Sequence, residues 1–256
     1  MTENQPPQSA PYTTVVLLDA LGARGLSLSD ATRWLDSIRD VMHKIWPVLK
    51  DVSTNVPGQV RRPVFRVFGD TILLLWSHDE NPGYAMLMSS LVVQQVFVGL
   101  LCHGIPARGA VACGEAVWDH ETALGPAVTD AAEWYEKADW LGVIAAPSCA
   151  VKLDGLASQR GEGWVSSFYI KHDVPLKTKP AVPQRAWALS WPQELELHAA
   201  RVGRQGHEFC TSQLASISRQ PEHESKYSSS AAFFDGYMSE WARHSLRINE
   251  KKASEN

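Results

Sequence analysis

Short β-branched runs and longer stretches with helical spacing alternate along this chain. Residues 12–18 (YTTVVLL) show no regular polar alternation, which is typical of a central strand buried on both faces. This run ends at Asp19. From a serine cap at Ser27 or Ser29, apolar residues then recur at helical spacing, and they predict a helix that continues to about Leu49.

A β-hairpin is predicted next. Residues 64–67 and 71–76 are rich in strand-forming side chains, and the tripeptide Phe68-Gly69-Asp70 separates them. This arrangement places Gly69 and Asp70 at the hairpin tip. Residues 84–101 are then so apolar that they predict a helix buried against a sheet or against a second subunit.

The second half of the chain continues this alternation. The predicted elements are a strand pair at 107–112 and 115–118, a helix at 127–141, a strand at 142–146, strands at 164–170 and 185–191 joined by a loop at 171–183, and polar helices at 193–219 and 225–247. Their order predicts an α+β sandwich built on a mainly antiparallel sheet. The first half fits a split βαβ unit.

Composition adds limits on domains and function. The chain has 256 residues, of which 45% are hydrophobic and 20% charged, as expected of a soluble globular protein. We divide it into a disordered leader (1–11), a main domain (12–192), a helical extension (193–248) and a charged tail (249–256). Because there is no signal peptide and no membrane-length apolar run, we expect a cytoplasmic protein with no membrane partner. The net charge of -4 speaks against nucleic-acid binding.

Two carboxylates stand out because each follows a buried strand. Asp19 follows VVLL and Asp70 follows VFG. In a βαββ unit the end of the first strand can lie beside the hairpin tip, and two acidic groups there repel each other unless a cation lies between them. Their hard oxygen ligands would select Mg²⁺ or Mn²⁺. From spacing alone, a second interpretation stays open, in which each Asp only ends its strand or caps a helix.

Five ordered blocks of the sequence resemble class III nucleotidyl cyclases. The blocks are VVLLDALGARG (15–25), FRVFGDTILLLW (65–76), RGAVACGEAVW (108–118), LGPAVTDAAEWYEKAD (124–139), and VPLKTK with RAWALSW (174–179 and 185–191). Together they span roughly residues 12–191. The resemblance implies a ferredoxin-like βαββαβ cyclase sandwich with an extra C-terminal hairpin and helices.

The resemblance also implies a reaction and a site. The ribose 3′-hydroxyl of a nucleoside triphosphate would attack the α-phosphate and release pyrophosphate. Asp19 and Asp70, assisted by the Ala20 carbonyl, would hold two Mn²⁺ or Mg²⁺ ions per site. The backbone amides of Gly22, Ala23 and Arg24 would cradle phosphates. Family members form head-to-tail dimers, so a homodimer is expected.

Departures from the family pattern affect the rest of the site. Arg66 and Thr122 stand where purine cyclases read the base, and Thr129 and Glu133 stand where their transition-state Asn and Arg lie. Arg66 is a pure donor and would favour the carbonyl-rich edge of uracil, although a solvated strand-edge arginine is the alternative. A glutamate cannot stabilise a pentavalent phosphate. The candidate replacement cations are Arg108, Lys177 and Lys179.

This combination, and the stretch EHESKYSSSAAFFDGYM (222–238), resembles the anti-phage Pycsar pyrimidine cyclases of bacteria. The function it implies is conversion of UTP to cyclic UMP as a second messenger in anti-phage defence. Three alternatives stay open. The protein could be a cytidylate cyclase acting on CTP, a catalytically silent cyclase-like domain that binds nucleotides, or a palm-type polymerase fragment. The acidic net charge speaks against the polymerase.

Overall fold

The computed structural model describes residues 8–23, 26–55, 63–77, 82–119, 121–177, 183–217 and 224–254. Their helices and strands are, in chain order, β1 (Gln8–Ala20), α1 (Leu28–Asn55), β2 (Val64–Phe68), β3 (Thr71–Ser77), α2 (Pro82–Cys102), β4 (Ala107–Trp118), β5 (Ala123–Leu124), α3 (Pro126–Lys137), β6 (Gly142–Ala145), α4 (Pro147–Arg160), α5 (Glu162–Val165), β7 (Tyr169–Pro175), β8 (Pro183–Leu189), α6 (Trp191–Arg201), α7 (Gly206–Ile217) and α8 (Glu224–Ser254).

All of the strands belong to one sheet. Seven of them follow the order β2-β3-β1-β4-β6-β8-β7, and β5 pairs with β4 beside this path. The neighbours are antiparallel except β4 and β6, which run parallel. The first six major elements, β1-α1-β2-β3-α2-β4, with strand order β2-β3-β1-β4, form a ferredoxin-like unit with a split βαβ. The predicted α+β fold class and ferredoxin-like core are therefore confirmed.

Strand β1 is the central element that positions the site. It lies between β3 and β4, and Val15, Val16 and Leu18 on it are fully buried. The absence of polar alternation in the sequence follows from this burial on both faces. Residues 8–11, predicted as part of a disordered leader, instead open β1, where Gln8 pairs with Trp118 on β4. The rest of that leader, 1–7, lies outside the described residues.

The two faces of the sheet are covered differently. Helices α1 and α2 and the C-terminal helices lie on one face, where they share the larger hydrophobic core. Helix α2 is buried, as its apolar sequence predicted, and a side chain at Gly99 would meet Val41 of α1 at 2.8 Å. The second face carries Val15, Leu17 and Leu73 and packs against α3. Asp19 is on this second face, because it follows Leu17 by two strand positions.

Several predictions for the second half were wrong. The predicted strand pair 107–112 and 115–118 is a single strand, because Gly114 stays paired with Thr13 of β1 and makes no turn. Helix α4 was not predicted. The predicted strand 164–170 is mostly α5 and the turn after it, and the predicted loop 171–183 begins as strand β7. The predicted strand 185–191 ends at Leu189.

The polar C-terminal stretch is helical as predicted, but it is divided differently. Residues 193–219 were expected to form one helix, whereas α6 and α7 are separated by a break in which Gly203 has a φ of 71°. A positive φ favours glycine and ends a helix. Helix α8 extends past the predicted end at Arg247 and includes residues 249–254 of the predicted tail.

Candidate active site

The two aspartates predicted as metal ligands lie at adjacent strand ends. Asp19 is the penultimate residue of β1 and pairs with Thr71, the first residue of β3. Asp70 precedes Thr71 in the β2–β3 turn, where Gly69 takes the left-handed φ of 59°. The Ala20 N–H donates a hydrogen bond of 2.8 Å to the Asp70 carbonyl. The split βαβ topology therefore joins the two acidic segments directly through their backbones.

The Asp19 carboxylate is held by Arg108 on the neighbouring strand β4. Arg108 Nε donates a 2.8 Å hydrogen bond to Asp19 Oδ2, and Nη2 lies 2.7 Å from the same oxygen. Each of the two side chains is only 13% exposed. The residues are direct partners in the β1–β4 register, so cross-strand geometry alone brings them together. Arg108 was predicted as a candidate cation to replace the transition-state arginine, and its pair with Asp19 was not foreseen.

The side chain of Tyr135 lies beside this ion pair. The Tyr135 ring on α3 lies 5.9 Å from the Arg108 guanidinium carbon, a distance at which a ring attracts a cation. Burial is the main cause that raises the pKa of Tyr135, and the nearby Glu136 and Asp19 charges add to it. Nothing in the sequence pattern singled out this tyrosine.

The charges of Asp19 and Arg108 also act on Lys177. Its backbone N–H donates a 2.8 Å hydrogen bond to the Lys137 carbonyl at the end of α3. Partial burial lowers the pKa of Lys177, and so do Arg108 and Lys226, against the opposing effects of Asp139 and Asp19. Among the described residues, no carboxylate forms an ion pair with its ammonium group. Lys179, the other lysine candidate, lies outside the described residues.

Asp70 lies in the β2–β3 turn, which contacts the end of β1, and the predicted phosphate cradle follows β1 directly. Asp70 is partly exposed, and no described residue forms a hydrogen bond or an ion pair with its carboxylate. Gly22 follows β1 with a φ of 92°, and Gly22 and Ala23 precede α1 by several residues. The helix is instead capped by Ser27, whose Oγ accepts a 3.2 Å hydrogen bond from the Asp30 N–H. Arg24 lies outside the described residues.

Arg66 shares the sheet face of Asp19. It pairs with Leu73, which pairs with Leu17, and Asp19 follows Leu17 by two positions. The Nη1 atom of Arg66 is buried and has no hydrogen-bond partner among the described residues. A buried donor without an acceptor is energetically costly. The oxygen of a bound ligand would remove that cost.

The other predicted ligand contacts are not gathered with Asp19. Thr122 lies in an exposed turn, where its N–H donates to Asp119 Oδ1 at 2.7 Å. Thr129 and Glu133 are exposed on α3 and line a surface depression of about 310 Å³. Glu133 forms an ion pair of 3.4 Å with Lys137. Within the described part of one chain, these residues therefore form a separate surface from the carboxylates.

Steric crowding explains two of the glycines in the sequence blocks that resemble the family. A Cβ at Gly109 would lie 2.6 Å from the Leu17 carbonyl oxygen, and one at Gly125 would lie 2.7 Å from the Glu115 carbonyl oxygen. Gly125 also has a φ of 132°. Real Cβ atoms do not approach a backbone oxygen so closely, so each position requires glycine. These glycines place β4 against β1 and α3 against β4.

The oxygen atoms of the site suit a divalent cation whose remaining ligands come from a bound substrate. In the described ranges, no three His, Cys, Asp or Glu side chains group as a metal site. Asp19 and Asp70 supply two carboxylates at these adjacent strand ends, with backbone carbonyls beside them. This set suits Mg²⁺ or Mn²⁺, which are commonly held by one or two carboxylates together with substrate phosphates.

No described helix is both long and apolar enough to cross a bilayer.

Comparisons with known proteins give structural likenesses only. No protein-family model matches the chain, and no curated protein matches it significantly. The catalytic core of a rhodopsin-guanylyl cyclase with converted specificity, in complex with ATPalphaS, is 11% identical, with a TM-score of 0.49 over 72% of this chain and 98% of that chain. The guanylyl cyclase Cya2 is 11% identical, with a TM-score of 0.45 over 73% and 94%.

A third solved structure is an adenylate/guanylate cyclase/hydrolase from Silicibacter pomeroyi. It is 14% identical, with a TM-score of 0.43 over 72% of this chain and 98% of that chain. With TM-scores below 0.5, we base no conclusion about activity on these three likenesses.

Proposed function

We propose that this protein is a metal-dependent nucleotidyl cyclase of the class III type. The observation that carries the proposal is the backbone contact between the two acidic strand ends, Ala20 N–H to Asp70 carbonyl at 2.8 Å, beside the partly buried Asp19 carboxylate. The ferredoxin-like strand order β2-β3-β1-β4 supports it. The five ordered sequence blocks, which together span roughly residues 12–191, support it as well.

The proposed reaction joins two ends of one nucleotide. The ribose 3′-oxygen forms a bond to the α-phosphorus, the bond from that phosphorus to the bridging oxygen breaks, and pyrophosphate leaves. The 3′-hydroxyl proton passes to solvent or to a phosphate oxygen. Asp19 and Asp70 would hold the two cations, which lower the pKa of the 3′-hydroxyl and neutralise phosphate charge when they are bound.

Positive side chains near Asp19 would take the place of the missing transition-state arginine. Lys177 is the candidate with no carboxylate partner among the described residues, and the charges of both Asp19 and Arg108 affect its pKa. Arg108 is closer to Asp19 but is engaged by it. A fixed cation next to the reacting phosphate stabilises charge that develops in the transition state.

For the base, we propose a pyrimidine and in particular uracil. Arg66 supports this choice because its buried Nη1 needs an acceptor, and uracil offers carbonyl oxygens where adenine offers none. CTP is the nearest alternative, since cytosine retains one carbonyl oxygen. The wider proposal is a cytoplasmic homodimer whose cyclic UMP acts as a second messenger in anti-phage defence, and it follows the sequence resemblance.

A non-catalytic nucleotide-binding domain is the second candidate function. The observation in its favour is that Thr129 and Glu133 are exposed and that Glu133 pairs with Lys137. Incubating the pure protein with each of the four nucleoside triphosphates and Mn²⁺ separates the candidates. A cyclic product with any nucleotide supports the enzyme. Binding of nucleotide without any cyclic product supports the silent domain.

The metal-ligand assignment gives the first prediction. We expect Asp19→Ala or Asp70→Ala to lower the rate of cyclic-nucleotide formation by roughly 10²-fold or more, because each removes a ligand worth several kcal/mol of transition-state stabilisation. The measurement is product formation by liquid chromatography with mass detection. The matched control is Asp173→Ala, an exposed aspartate on β7. Equal activity of the Asp19 variant and the control would contradict the assignment.

The base assignment gives the second prediction. We expect Arg66→Gln to lower kcat/KM for UTP more than for CTP, by about tenfold, because a buried polar contact to the base is worth roughly 1–3 kcal/mol. The ratio of the two kcat/KM values is the measurement. Arg185→Gln, which alters an exposed arginine on β8, is the control. An unchanged ratio would remove Arg66 from base selection.

A further inference from the structure

The contact between Arg108 and Asp19 has an uneven geometry. Both nitrogen atoms of Arg108 that contact the carboxylate, Nε at 2.8 Å and Nη2 at 2.7 Å, approach Oδ2. Oδ1 accepts no hydrogen bond from any described residue. The guanidinium therefore neutralises Asp19 while it leaves one carboxylate oxygen without a donor in the part of the chain that the structure describes.

This arrangement opposes metal binding by charge. A divalent cation on Oδ1 would share the carboxylate with the guanidinium, so the two positive charges would repel each other. The pair is only 13% exposed, so water screens the repulsion less than it would at the surface. The cross-strand register and the Tyr135 ring, 5.9 Å from the guanidinium carbon, both hold Arg108 in this position.

A triphosphate would change the balance. A guanidinium binds phosphate oxygens in a bidentate manner and has five donors, of which Asp19 engages the two on Nε and Nη2. Transfer of Arg108 from the carboxylate to a phosphate would remove the positive charge from Asp19 at the moment when the nucleotide supplies further oxygen ligands. Binding of metal and binding of nucleotide would then strengthen each other by the same factor, as thermodynamic linkage requires.

We propose that Arg108 is a built-in counter-ion of Asp19, which keeps divalent metal weakly bound until a nucleoside triphosphate draws its guanidinium away. This inference rests on the proposed cyclase function, because it needs Asp19 to be a metal ligand. It assigns Arg108 a positioning role in the resting protein. It also makes the availability of Asp19 to a metal ion depend on the substrate.

The test measures the affinity for Mn²⁺ by electron paramagnetic resonance, on the full chain without nucleotide. We expect Arg108→Gln to bind Mn²⁺ about tenfold or more tightly than the wild type, since a nearby positive charge is removed. The double variant Asp19→Asn with Arg108→Gln should lose that gain. Arg185→Gln, the exposed control on β8, should match the wild type. Equal affinity of Arg108→Gln and the wild type, or a gain that survives Asp19→Asn, would overturn the inference.

A second arm separates this inference from the proposed function. With 3′-deoxy-UTP or 3′-deoxy-CTP, which cannot cyclise, the wild type should bind Mn²⁺ about as tightly as Arg108→Gln does. If the wild type binds no Mn²⁺ with either analogue, the proposed metal site itself fails.

If Arg108→Gln does not fold, Tyr135→Leu replaces it, because this variant keeps the arginine but removes the ring beside it. Tyr135→Leu should bind Mn²⁺ a few-fold more tightly, and an unchanged affinity would count against the counter-ion role.

Discussion

At the scale of single residues, His172 shows how the interior limits the chemistry of a side chain. It lies on β7, with ring centroids 5.5 Å from Trp140 and 4.7 Å from Phe233. Burial is the main cause that lowers the pKa of His172, and Arg185 acts in the same direction against Asp173. The folded protein therefore disfavours the charged imidazolium.

The lowered pKa predicts acid sensitivity. As the pH falls below about 6.5, the unfolded chain binds a proton at His172 before the folded chain does, so the free energy of unfolding decreases. We expect His172→Phe to reduce the loss of unfolding free energy between pH 7.5 and pH 5. Part of the loss should remain in this variant, because burial also lowers the pKa of His198. Denaturant unfolding at several pH values is the measurement. His43→Gln, at an exposed position on α1, is the control, and equal pH slopes for His172→Phe and this control would contradict the argument.

The residues of the candidate site were predictable to different degrees. Asp19 and Asp70 each follow a buried apolar run, and the split βαβ unit then joins their segments. The partnership of Arg108 with Asp19 needs the exact register of β1 against β4, which hydrophobic pattern alone does not contain. The position of Tyr135 depends on how α3 packs on the sheet, so no local sequence signal indicates it.

At the scale of elements, the sequence predicted those that are strongly patterned. The sequences of β1 and α2 are long uniform apolar runs, and a glycine turn marks the β2–β3 hairpin. All of these elements are present in the structure. Helix α4 was missed because few of its residues are buried, with Cys149 and Leu153 the main ones. Pro147 at its first turn and Gly161 at its end were the available signals.

The undivided β4 has a different explanation. Gly114 suggested a turn, since glycine commonly interrupts strands. In the sheet it continues the ladder opposite Thr13, and a Cβ there would touch the Ala127 side chain of α3 at 3.7 Å. A contact of that length is ordinary, so neither a turn nor steric crowding requires glycine at this position. Sequence alone does not distinguish a glycine inside a continuous strand from a glycine in a turn.

At the scale of the whole molecule, the C-terminal helices share the core of the eight-stranded sheet. Trp191 of α6, Phe209 of α7 and Phe233 of α8 belong to the same buried cluster as Leu18 of β1. The Ser230 hydroxyl on α8 also accepts a 2.9 Å hydrogen bond from the Leu141 N–H. The division at residue 192 therefore marks a change in sequence character within one continuous core.

A shared core predicts cooperative unfolding of the entire chain. Phe233 is 1% exposed and packs edge-on against Trp140, with ring centroids 5.0 Å apart. We expect Phe233→Ala to lower the free energy of unfolding by roughly 3–5 kcal/mol, because it leaves a cavity between α8 and the sheet. Circular dichroism and tryptophan fluorescence should still report one coincident transition.

The matched control is Phe68→Ala, which truncates a phenylalanine that is 50% exposed at the end of β2. Its effect should stay within about 0.5 kcal/mol, as for most surface substitutions. If the C-terminal helices were an independent appendage, Phe233→Ala would give two separate transitions, with the fluorescence of the sheet tryptophans unfolding at the wild-type denaturant concentration. A single shifted transition means that α8 stabilises the strand β1 that carries Asp19, and that loss of this helix would disable the site from the opposite side of the sheet.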